Sequence, residues 1–134
     1  MSMRQRKVKQ MKNTIIFFSV LAFILACGIF SEIYIGRKAT ELTGSIDTVK
    51  AEIGKSDVAD SYNAFLKKWE KDKHTLEMLT DHGDVKRIDE HLGDLSAIIG
   101  DSEKRTDAAG IIGEITSVID SIPHHMKFRF ENIL

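Results

Sequence analysis

The stretch TIIFFSVLAFILACGIFS, Thr14 to Ser31, runs for 18 residues without a charge, and Ile33, Tyr34 and Ile35 extend it around one acid, Glu32. At a rise of about 1.5 Å per residue, a helix from Thr14 to Ile35 is roughly 33 Å long, enough for a hydrocarbon core of about 30 Å. Residues 14–35 therefore read as a transmembrane helix. Arg4, Arg6, Lys7, Lys9 and Lys12 precede it with no acid among residues 1–13. Cations collect on the cytoplasmic side of a span, so the expected topology is a cytoplasmic basic segment, 1–13, with everything after the span extracytoplasmic.

Two other readings of this stretch compete. A cleaved signal peptide also begins with cations and an apolar run, but its hydrophobic region is about 7–15 residues and ends at a small-x-small site, neither of which fits here. Ile24-Leu25-Ala26-Cys27-Gly28 loosely matches a lipid-modification box. Cutting before Cys27 would strand Ile29, Phe30, Ile33, Tyr34 and Ile35 beside the lipid with no role at hydrocarbon depth. Cys27 reads instead as a small apolar residue. Glu32 falls about 28 Å along a helix that starts near Asn13, close to the outer interface, where a carboxylate can snorkel. A charged partner inside the membrane is its functional alternative, and Glu32 stands as a candidate interaction residue.

The remaining chain has a different character. Of the 134 residues, 43% are hydrophobic and 29% charged, and the formal net charge of −1 hides an uneven distribution. Residues 36–134 carry 14 basic and 19 acidic side chains. A surface of that sign repels phosphate backbones, which removes the main source of nucleic-acid affinity. The single cysteine excludes an internal disulfide and a cysteine zinc cluster.

Apolar residues recur at steps of three and four in four segments, the stripe of an amphipathic helix. They are Ala39, Leu42, Ile46, Val49, Ile53; then Val58, Tyr62, Phe65, Trp69, Leu76, Leu79; then Val85, Ile88, Leu92, Leu95, Ile99; and last Ala108, Ile111, Ile115, Val118, Ile122. Gly54-Lys55-Ser56-Asp57, Asp81-His82-Gly83-Asp84 and Gly100-Asp101-Ser102 each join a glycine that ends a helix to a side chain that caps the next. Pro123 closes the fourth segment. Short connections predict an all-α, antiparallel four-helix arrangement over residues 36–122, with Trp69 as its core anchor and the first helix continuing the span. Gly44, Gly93, Gly110 and Gly113 fall inside these helices, each at a cost of about 1 kcal/mol against alanine. They read as tolerated surface positions, or as places where another helix comes close.

Chemistry is sparse. No G-x-S-x-G turn or glycine-rich phosphate loop frames a nucleophile, and the only thiol lies in the span. His82 and His91 sit among Asp81, Asp84, Asp89 and Glu90, yet they straddle a helix start without metal-ligand spacing. His124-His125 follows Pro123 at a turn, where adjacent side chains diverge. Asp72 interrupts an apolar stripe, and Lys68 or Lys73 is expected to accompany it to solvent, a polar contact across the bundle being the alternative. The reading predicts no catalytic residue, no cofactor, no metal and no small-molecule substrate.

After Pro123 the pattern changes. Met126, Phe128 and Phe130 alternate with Lys127, Arg129 and Glu131, and Ile133-Leu134 ends the chain. Alternation predicts a short extended tail, 123–134, rather than a fifth helix. Phe128, Phe130, Ile133 and Leu134 are apolar groups that need a cover, either the parent bundle or a partner's groove.

The order of a basic start and single span, Trp69-Glu70 in a long helix, Leu79-Thr80-Asp81-His82 at a turn, Ile122-Pro123 and a terminal Glu131-Asn132-Ile133-Leu134 resembles the domain-of-unknown-function family four-three-six-three. These are small single-pass proteins of spore-forming Gram-positive bacteria. The resemblance implies no enzymatic activity and no cofactor. It implies a multipass, YetF-like membrane protein as partner and a place in the cell or spore envelope. Two functions remain: an accessory protein whose outer domain docks on such a partner, and a ligand-sensing bundle that signals through one.

Overall fold

The computed structural model describes residues 2–125. Helix α1 is Met3–Glu52, α2 is Val58–Leu79, α3 is His82–Ile98 and α4 is Arg105–Ser121. One 3-10 turn, Ser102–Lys104, precedes α4, and another, Ile122–His125, follows it. No strand occurs among the described residues.

Local chemistry sets the helix ends. Ser2 and Gln5 form a capping box at the start of α1, each side chain accepting from the other's backbone N–H at 3.3 Å, which satisfies donors that the first turn leaves open. The helix then passes Gly36 without a break, as the sequence leads one to expect, and ends where Gly54 takes a φ of +83°. That left-handed conformation suits glycine, and a Cβ there would also stand 2.5 Å from the Arg105 guanidinium carbon. Asp81 accepts from the Gly83 N–H at 2.9 Å to start α3, and Asp101 accepts from the Glu103 N–H at 3.0 Å.

Helix α1 packs against both α2 and α4, and α3 packs on α4 and α2. Cross-helix partners mark the registers. Lys38 faces Asp72, Thr43 faces Asp120, Tyr62 reaches Leu92 and Ser96, Trp69 reaches Asp89, and His91 faces Glu114. The stripes read from the sequence meet in one core, with Phe65, Trp69, Ile46, Ile88 and Ile115 fully buried.

The fourth stripe needs correction. Ile112 and Ile119 are fully buried, whereas Ile111 is only partly so. The most deeply buried residues, Ala108, Ile112, Ile115, Ile119 and Ile122, are spaced four, three, four and three apart. Ile111-Ile112 and Val118-Ile119 are apolar pairs in which either member fits such a run, and packing against α1 and α3 selects the second of each. Asp72 is the second correction. Its side chain is 8% exposed and pairs across the bundle with Lys38 at 3.7 Å, not with a lysine of its own helix. Gly44, Gly93, Gly110 and Gly113 are not packing requirements, since a Cβ at any of them meets nothing within 4 Å.

Over its N-terminal half, α1 is long and apolar enough to cross a membrane. Ile15, Phe17, Phe18 and Phe23 are each at least 60% exposed there. Further along, Gly28, Ser31, Ile35 and Ala39 are buried, while Ile29, Phe30 and Ile33 remain exposed. Glu32 is half-buried. Phe128, Phe130, Ile133 and Leu134, with the rest of the expected tail after His125, lie outside the described residues.

Candidate functional site

The most concentrated polar chemistry lies where the α2–α3 turn meets the 3-10 turn after α4. Asp84, at the third position of α3, is fully buried. A carboxylate without water needs partners on both oxygens. Arg87, one turn on, donates to Oδ1, and His125 Nδ1 donates to Oδ2 at 2.7 Å. Thr80, also buried, donates its hydroxyl to the Leu76 carbonyl at 2.6 Å, which closes the end of α2. The cluster therefore ties the end of α4 to the start of α3.

Its outer rim is acidic and imidazole-bearing. Glu77 lies 3.7 Å from His82 and 3.9 Å from His74. A histidine oriented by a carboxylate is half of a nucleophile-activating device, and the other half is a hydroxyl or thiol within reach of the second ring nitrogen. Six hydroxyls of this bundle, those of Thr40, Thr48, Thr80, Ser96, Thr116 and Ser121, donate to backbone carbonyls three or four residues back in the chain. As it stands, the Asp84–His125 pair can orient and staple.

A second polar line runs through the middle. Lys38 bridges Asp72 and Glu41, at 3.7 and 3.3 Å, and its ammonium lies 5.7 Å from the Tyr34 ring centre. Burial alone would lower the Lys38 pKa, but the Glu41 hydrogen bond and the negative charge of Asp72 outweigh it and leave it raised. The Trp69 indole N–H donates to Asp89 at 2.7 Å, and Lys73 joins Asp89 at 3.8 Å. Tyr62 donates to the Leu92 carbonyl at 2.9 Å, and burial pushes its phenol up. Every buried side-chain polar atom among the described residues has a partner.

Of the residues singled out in the sequence, Trp69 is a fully buried core anchor. His82 and His91 are not brought together, the first facing Glu77 and the second Glu114. Among the described residues no group of three His, Cys, Asp or Glu side chains is placed to hold a metal ion. Cys27 is exposed on α1.

The Asp84–His125 contact escaped the sequence reading. One signal for it exists, because Asp84 precedes Ile88 by four residues and so falls on the buried face of α3, as Asp72 does on α2. Its partner, 41 positions away, leaves no local trace.

Residues 29–133 match the family described as Domain of unknown function (DUF4363). The chain belongs to this family. No curated protein and no solved structure matches it. The DUF4363 match begins at Ile29, inside the apolar run and close to Gly28, where burial of α1 begins.

Proposed function

We propose that this DUF4363 protein is a non-enzymatic, single-pass membrane accessory protein, with residues 1–13 in the cytoplasm and its helical bundle outside, docking on a multipass membrane protein of the cell or spore envelope. One observation carries the reading: a single helix of 50 residues exposes large apolar side chains along its N-terminal half and buries a stripe along its C-terminal half. Apolar groups such as Phe17, Phe18 and Phe23 find a solvent in lipid and not in water. The five cations before the run support the orientation.

An antiparallel order of the four helices is part of the proposal. It is supported by Lys38 facing Asp72 across a five-residue link, and by Tyr62 and Trp69 of α2 reaching Ser96 and Asp89 of α3 in reversed order. An accessory role is supported over ligand sensing by the single apolar core and by buried polar side-chain atoms that, among the described residues, all have partners within the bundle. The choice of a YetF-like partner follows the family resemblance.

Affinity purification of the tagged full chain in mild detergent tests the function. A multipass membrane protein recovered in stoichiometric amount is the expected result. Recovery of the chain alone, together with a small molecule retained by its bundle, would favour the sensor.

A further inference from the structure

The same helix is buried and exposed at one level, and this locates the bundle relative to the lipid. At 100° per residue, Gly28, Ser31, Ile35 and Ala39 fall within roughly 80° of one another on α1. All four are buried. Ile29, Phe30 and Ile33 project on the opposite side of those turns, at 49, 70 and 58% exposure. One face of the last turns of the apolar run thus packs like a domain core while the other keeps the character of a span.

The axial register agrees. Lys38 on α1 faces Asp72 on α2. In the antiparallel order, the eight residues from Asp72 to Thr80 carry α2 about 12 Å back along α1, to the level of Phe30. Met78, 71% exposed, falls in that last turn of α2, and His82, with a 73% exposed side chain, is the first residue of α3. Family membership beginning at Ile29 places those turns of α1 within the domain.

We propose that the α2–α3 end of the bundle is seated in the headgroup layer of the bilayer, so that Met78 of α2 meets lipid at the same level as Ile29, Phe30 and Ile33 of α1. The inference rests on membrane anchoring by α1. It redraws the hydrocarbon-crossing segment as about Thr14–Phe30, seventeen residues and roughly 26 Å, the short end of what spans a bilayer, with Glu32 and Ile35 above it. The occupant is lipid because Ile29, Phe30 and Ile33 continue the face that the span already presents to lipid, and Met78 lies at their level. No hinge separates the two, since α1 stays helical through Gly36. The docked bundle therefore has a fixed height, and the staple of Asp84 by His125 holds its lipid-facing end together.

Single fluorophores placed by Phe23→Cys, Met78→Cys and Lys55→Cys in a Cys27→Ser background test this. All three sites are exposed, so the fold tolerates the label. The full chain is reconstituted into phosphatidylcholine–phosphatidylglycerol vesicles containing nitroxide-bearing lipids, with iodide as the aqueous quencher. The expected result is lipid quenching at 23 and 78, with quenching at 78 about threefold or more above that at 55, which iodide alone should reach. Lipid quenching at 23 together with iodide-only quenching at 78 would overturn the seating and leave the anchor intact. Protection of 78 from both quenchers would overturn it in favour of a protein cover. Absence of lipid quenching at 23 would remove the anchor itself and the inference with it.

Discussion

The two halves of α1 share a backbone and differ in what surrounds them. Between Ile15 and Phe23 the large apolar side chains are exposed, and between Ile35 and Val49 they are buried. In the first half apolar residues occupy every face, which calls for an apolar solvent. In the second they are confined to a stripe, and α2 and α4 provide the cover. A continuous helix thus passes from exposed apolar residues to a buried stripe as its apolar face narrows, with no break in the helix.

The largest effect that would break this contrast is a charge in the first half. Phe18→Arg combined with Ala22→Arg places two guanidinium groups near the middle of the run, each at a cost of about 2.5–3.5 kcal/mol on insertion scales. Membrane integration, measured by resistance to alkaline carbonate extraction, should be lost. The bundle's helicity should persist, because neither position contributes to its core.

In the second half the matching test is Trp69→Ala. A fully buried indole is removed, at about 3–5 kcal/mol, and Asp89 loses a donor. Thermal unfolding should fall steeply while membrane integration is unchanged. Equal melting curves for the two proteins would mean that Trp69 does not anchor the core.

Asp84→Ala should have a smaller effect, of about 1–3 kcal/mol, because Arg87 and His125 are exposed enough to recover water once their shared acceptor is gone. Thermal melting measures the loss. A variant as stable as the parent would show that the contact between the 3-10 turn and α3 contributes little. The smallest change expected is a gain. Gly113→Ala should stabilise α4 by about 0.5–1 kcal/mol, since a Cβ there has open space. If the same variant weakens recovery of a membrane partner, that surface belongs to the docking face.

Much of the architecture was legible along the chain. Four stripes, three glycine-bearing links and one uncharged run are linear patterns, and each follows from local helix geometry or from the cost of charge in lipid. Only interior members of the α4 stripe went astray, because either residue of Ile111-Ile112 and of Val118-Ile119 fits steps of three and four, and packing alone decides that Ile112 and Ile119 are the more deeply buried. The polar seams were less legible. Asp72 stood out as an acid on an apolar face; of its two readings, a lysine of its own helix leading it to solvent and a contact across the bundle, the structure has the second, with Lys38 of α1.

The sequence by itself determined the helices, their approximate ends and the segment long and apolar enough to cross a membrane, because hydrogen bonding within a helix and transfer of its side chains depend on near neighbours. Tertiary structure alone decided that Ile35 and Ser31 turn toward the bundle while Phe30 and Ile33 turn away, and that His125 meets Asp84 from 41 residues off. Burial and pairing of this kind are properties of two surfaces brought together, and a single chain segment carries only one of them.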